Sequence, residues 1–92
     1  MNKISIVIPV YNSAESIDSL SSQTHDQLND ISYEIIFIND NSDDDSWEKL
    51  KELSSSYKNT IALNLAKNFG QDCAIMAGLH HITGDMVVIM DD

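Results

Sequence analysis

Three places in the chain combine residue types that could do chemistry. The run MVVIMDD, Met86 to Asp92, carries apolar residues straight into two adjacent carboxylates, Asp91 and Asp92. Such a pair repels itself unless it is solvated or shared by a cation. Mg2+ and Mn2+ prefer oxygen ligands of this kind, usually completed by substrate phosphates; a solvated strand terminus is the plainer alternative. Asp40 closes a second apolar run, YEIIFIND. An ionised carboxylate there only accepts hydrogen bonds, from a nucleobase N–H or a ribose hydroxyl, or else it caps the following helix or tightens the turn. The third place is KNFGQD, where Lys67 and Gly70 could set a cation and backbone N–H groups beside a phosphate. One glycine is neither a P-loop nor a dinucleotide fingerprint.

Other conspicuous residues read as structural. Asp43, Asp44 and Asp45 oppose the positive end of a helix dipole and need no ligand, and a calcium loop would require a glycine and a late glutamate that are out of place. His80 and His81 suit a helix C-terminus. Adjacent helical residues diverge by about 100°, so the two do not converge on one metal. Cys73 has no paired base and reads as a small core residue.

Ninety-two residues allow one small domain, 1–92, and 42% hydrophobic residues suit a globular one. Fifteen acids against five Lys and Arg give a formal charge of -10, which argues against nucleic acid or anionic lipid as a direct partner. An anionic ligand would need a metal or backbone N–H groups. One cysteine suits a reducing cytosol, and the opening MNKISIVIPVYN is too short an apolar run for a signal peptide or membrane span.

The elements that must position these residues follow from periodicity. ISIVIPV and YEIIFIN are continuous β-branched runs, as in strands buried on both faces of a parallel sheet, with regular pairing fading at Pro9. Ile17, Leu20 and Leu28 mark a helix over 14–28. Trp47, Leu50, Leu53 and Tyr57 form the stripe of a second, after possible N-caps in NSDDDS. TIALNL is a third strand, QDCAIMAGLHH a third helix weakened by Gly78, and MVVIMDD a fourth strand. This alternation predicts a doubly wound parallel sheet in three α/β/α layers, Rossmann-like, with ligands beyond the carboxyl ends of the strands.

Taken together, IVIPVYNSAESI, EIIFINDNSDDDS, LAKNFGQDCAIMAGL and GDMVVIMDD resemble the inverting family 2 glycosyltransferases of the GT-A fold. The likeness is strongest to the polyprenyl-phosphate branch, and it covers essentially the whole chain. The resemblance implies a nucleotide-diphosphate sugar donor (UDP- or GDP-linked), a divalent metal, Mg2+ or Mn2+, and an acceptor that in this branch is a lipid phosphate. It also implies a cytoplasmic setting, at the membrane face for the complete enzyme. Pro9 and Tyr11 match the segment lining the nucleoside pocket, with Asn12 and Glu15 in the same loop. Ile38 and Asp40 match the base-contacting end of the second strand. Asp91 matches the first acid of the metal-binding DxD motif, with Asp92 at its variable middle position, and Lys67 stands where this branch often has arginine. Ser13 replaces a frequent glutamate and Asn41 a frequent glycine; Asn tolerates left-handed angles, so the turn can survive. The motif's last acid would be position 93, which places the catalytic base and the acceptor half beyond this segment and makes it a donor-binding part. A nucleotidyltransferase or a non-catalytic nucleotide-binding α/β domain would also put acids at strand ends. A phospho-acceptor domain would need acids after the first strand, where this chain has Tyr11 and Asn12.

Overall fold

The computed structural model describes residues 2–90. Asp91 and Asp92, the pair expected to meet a cation, lie outside the described residues. The β-branched runs form strands Ile4–Val10 (β1), Tyr33–Asn39 (β2), Thr60–Asn64 (β3) and Met86–Ile89 (β4). Helices Ala14–Gln27 (α1), Ser46–Ser56 (α2) and Gln71–Leu79 (α3) connect them. All strand pairs are parallel, in the order β3-β2-β1-β4.

The first two crossovers step one way across the sheet and the third returns past both. Parallel crossovers are almost always right-handed, so the reversal places α3 on the opposite face from α1 and α2. Ile17 of α1 and Leu50 of α2 accordingly share a core with Ile6, Ile8, Val10, Ile35 and Phe37. Ala74 of α3 packs instead with Val7, Ile36 and Ile38. Alternate residues of β1 and β2 thus enter two different cores, which is why neither strand can alternate apolar with polar. The three-layer, doubly wound expectation holds.

Gly78 explains its own presence in α3. A Cβ there would stand 2.6 Å from Ile38 Cδ1 and 2.7 Å from Val7 Cγ1, so its absence lets the helix press onto the sheet. Cys73 is corrected from core to surface: α3 turns Ala74 and Gly78, four residues apart, towards the sheet and leaves Cys73 facing outward. Pro9 keeps its register with Ile38 of β2. On the other side of β1, among the described residues, the ladder with β4 runs to Val7 and Ile89, so the missing N–H removes no bond from that ladder.

Tyr57 also departs from the expected stripe. It lies just past α2 and stacks on His25 at 3.9 Å between ring centroids. The His25 ring also hydrogen-bonds the Tyr33 hydroxyl and lies 3.5 Å from Thr60 Oγ1. Burial holds this imidazole below the ordinary 6.5, with Asp26 opposing the shift only in part. The unfolded chain therefore takes up this proton first as the pH falls, and the cluster's contribution, complete above the ordinary value, is lost on descending through it towards the folded one. The stability advantage of wild type over His25→Phe should shrink between about pH 8 and pH 5. A pH-independent difference in thermal melts would show that the ring's titration plays no part.

Candidate functional site at the carboxyl edge

Beyond the carboxyl ends of β1, β2 and β3 the loops are tied by side chains. Asn39, almost fully buried, donates through Nδ2 to Asn64 Oδ1 at 2.8 Å and accepts Ser42 Oγ at 2.5 Å. Ser42 Oγ in turn accepts the Asn12 amide at 2.9 Å, and Asn12 Oδ1 accepts the Asp43 amide at 2.8 Å. Asn12 and Asn41 have φ of 51° and 53°, left-handed values that asparagine tolerates better than other non-glycine residues. The turn at Asn41 survives without glycine for that reason.

The acid run is not uniform, which corrects its reading as three equivalent dipole partners. Asp44 accepts the Ser46 amide at 2.9 Å and, across the loops, the Ala14 amide at 3.2 Å. Ser46 Oγ accepts the Ser13 amide at 3.0 Å, and Lys49 Nζ donates to the Ala14 carbonyl at 2.8 Å. Desolvation alone would raise the Asp44 carboxyl, but the bonds from Ser46 and Ala14 outweigh it and hold it below its ordinary value. The start of α2 thus satisfies the start of α1.

Asp40, only 4% exposed, is the centre of the edge. Its Oδ1 accepts the Phe69 amide at 2.8 Å and its Oδ2 the Gly70 amide at 2.9 Å. The carboxylate therefore fixes the loop ahead of α3 rather than capping α2. Gly70 opens α3 with a φ of 94°, a region that a side chain would strain. Each Asp40 oxygen has a second lone pair for a further donor.

These elements enclose a cavity of about 320 Å³ lined by Pro9, Tyr11, Asp40, Asn68, Gly70 and Gln71 among others. That volume lies within the usual range for small-molecule sites. The cavity opens at the carboxyl end of β1, where the strand order reverses and α/β sheets place their ligands.

Of the residues singled out in the sequence, Pro9, Tyr11 and Asp40 meet in this lining. Asn12 braces the adjoining loop, Glu15 is exposed in the first turn of α1, and Lys67 is exposed one residue before the lining residue Asn68. Ile38 is not in the lining: it lies two residues before Asp40 on the same face of β2, where α3 covers it completely. Asn68 and Gln71 had not been singled out, and only their position at the β3–α3 junction, Asn68 in the loop and Gln71 opening the helix, could have flagged them. Among the described residues no cluster of three metal-capable side chains exists.

The family model for glycosyl transferase family 2 matches residues 5–92. The undecaprenyl-phosphate 4-deoxy-4-formamido-L-arabinose transferase of Sodalis glossinidius is 44% identical over 99% of this chain and 29% of its own length. The dolichol-phosphate mannosyltransferase of Pyrococcus furiosus is 37% identical over 97% of this chain and 25% of its own. The chain therefore spans between a quarter and a third of the length of these relatives. Among solved structures, the mannosyltransferase PcManGT of Pyrobaculum calidifontis, in complex with GDP-Man and Mn2+, superposes with a TM-score of 0.86 at 20% identity, over 98% of this chain and 27% of that one. S. aureus TarS 1-349 in complex with UDP-GlcNAc gives 0.79 at 22% identity, over 97% and 26%. These two establish likeness of fold.

Proposed function

The chain belongs to glycosyl transferase family 2, and from that premise we propose that it is the nucleotide-sugar-binding part of an inverting GT-A glycosyltransferase whose acceptor is a polyprenyl phosphate. The acceptor class is supported by the two curated relatives, whose names specify undecaprenyl and dolichol phosphate. The donor class is supported by the neighbours solved with GDP-Man and UDP-GlcNAc. The observation that carries the reading is the cavity at the strand-order reversal, with Asp40 at its base and the start of α3 on its rim.

In this reading Pro9 and the exposed Tyr11 ring offer apolar surface to a nucleobase. Asp40 accepts from a base N–H or a ribose hydroxyl, and Asn12 and Glu15 flank that end. The diphosphate lies towards Gly70 and Gln71, where backbone dipoles favour an anion, with Lys67 as the nearby cation. Ile38 contributes only through the packing beneath α3. Asp91, with Asp92 beside it, is the proposed ligand of a divalent cation, Mg2+ or Mn2+, which when bound would neutralise charge on the departing diphosphate. The protein's own charge of -10 makes such compensation necessary. A nucleotide-sugar donor and a lipid-phosphate acceptor support a reaction at the cytoplasmic face of a membrane. No helix among the described residues is long and apolar enough to cross one.

Calorimetric titration with UDP, GDP and their sugar conjugates, with and without Mn2+, tests this. One nucleotide diphosphate should bind, Mn2+ should tighten it, and Tyr11→Ala should weaken it about tenfold, roughly 1.4 kcal/mol. Binding of nucleoside triphosphates in preference to both diphosphates would favour a nucleotidyltransferase, and no nucleotide binding at all would end the reading.

A further inference from the structure

At the opposite edge of the sheet, buried polar groups converge on the turn that starts β4. Glu34 of β2 is 4% exposed and stands in register with Ser5 of β1. Its Oε2 accepts Ser5 Oγ at 2.6 Å and the Thr83 amide at 2.7 Å. Ser5 Oγ also accepts the Gly84 amide at 2.8 Å. Lys3 Nζ donates to Thr83 Oγ1 at 2.7 Å and lies 3.7 Å from Glu34 Oε1. The Lys3 amide donates to Asp85 Oδ2 at 3.0 Å, and the Lys3 carbonyl accepts the Asp85 amide at 2.8 Å. Gly84 is fitted to this box: a Cβ would stand 2.6 Å from Ser5 Oγ and 2.8 Å from the Lys3 carbonyl oxygen.

A buried carboxylate is expensive in a sheet interior unless its partners are in place. Here desolvation pushes the Glu34 carboxyl up, while the bonds from Ser5 and Thr83 and the charge of Lys3 more than offset it. The group is held ionised, and its two direct hydrogen bonds tie β1 to residue 83. Besides this box, β4 is held among the described residues by its short parallel ladder with β1, Ile4–Val7 against Met86–Ile89, and the register of so short a strand depends on the geometry of the turn that leads into it.

We propose that Glu34 is a positioning residue: through Ser5, Thr83 and Gly84 it sets where β4 begins and in what register it runs, and so where the chain delivers the acids that follow Met90. The functional half of this rests on the nucleotide-sugar reading above; the latch itself does not. Backbone amide exchange followed by NMR on the 92-residue chain separates them. In Glu34→Gln, which has one carbonyl oxygen and no charge, the Asp85, Met86 and Met90 amides, bonded to the Lys3 and Val7 carbonyls, should exchange at least about tenfold faster relative to the Ile35 and Leu65 amides of the β2–β3 side. Ser5→Ala should open the same three amides without disturbing the carboxylate's other contacts, which keeps the test sound if Glu34→Gln fails to fold. Leu50→Ala, a defect in the other core, should accelerate both groups together. Restoring the carboxylate on a shorter arm, Glu34→Asp, should recover part of the protection.

Uniform acceleration in Glu34→Gln and Ser5→Ala, or none, would overturn the latch. Mn2+ added to the same samples should broaden the Asp91 and Asp92 amides of wild type, and less so those of Glu34→Gln. Selective opening of β4 with no Mn2+ broadening even in wild type would leave the latch standing and count against the metal part of the proposed function. Equal broadening in both proteins would overturn the delivery role.

Discussion

Leu50→Ala should lower the stability of the fold by about 2–5 kcal/mol. Leu50 is the buried apolar residue of α2, fully enclosed with Ile17, Ile35 and Phe37 between helix and sheet. Removing its branched end leaves a cavity that rigid neighbours on both sides cannot close, because Phe37 and Ile35 belong to a central strand. A domain of this size has roughly 5–14 kcal/mol in total, so the loss is a large share of it. The melting midpoint should fall by roughly 10 °C or more. Asp45→Ala should leave it nearly unmoved, since Asp45 caps α2 without a side-chain bond. Asp44→Ala should fall between the two, having lost bonds to both helix starts. If Leu50→Ala melts with wild type, the division of the molecule into two cores is wrong.

The fold was legible because its main signal is local. Two uninterrupted β-branched runs require burial on both faces, and alternation with helical stripes leaves few topologies. Asp40 was legible as important but not in its role, since its partners Phe69 and Gly70 lie 29 and 30 residues downstream. No spacing rule reaches that far. Ile38 shares the face of β2 that carries Asp40, and only its place two residues deeper along the strand, under α3, puts it in the core rather than in the lining. Cys73 was misplaced because in the nine-residue α3, QDCAIMAGL, no strong apolar stripe marks which side faces in. Asp44 was hidden among identical neighbours, although an acid two residues before a serine at a helix start is a known turn pattern. The Glu34 box was missed because a lone glutamate in a strand gives no hint that the amide of Thr83, 49 residues later, comes to meet it.

Asp40→Asn should weaken nucleotide diphosphate binding by about 10- to 100-fold, or roughly 1.5–3 kcal/mol, the scale of a hydrogen bond to a charged group. The substitution nearly preserves shape, so the argument is electrostatic. The carboxylate has two oxygens, each accepting one backbone amide, from Phe69 and from Gly70, and each with a lone pair to spare. An asparagine can satisfy only one of those amides and turns an NH2 group towards the other. The loop before α3 must then shift, and the start of that helix moves with the Gly70 that opens it. A ligand donor that met the second lone pair would also lose its charged acceptor. Asp40→Ala removes both functions and should cost at least as much affinity, with a larger loss of stability because two amides are left without partners. Calorimetry and amide exchange on the same folded variants tell the two roles apart. Faster exchange at Phe69 and Gly70 together with weakened binding fits a carboxylate that serves loop and ligand alike. Faster exchange with unchanged affinity would make Asp40 a clamp on the loop and nothing more, and the nucleobase would have to be read by the groups around it.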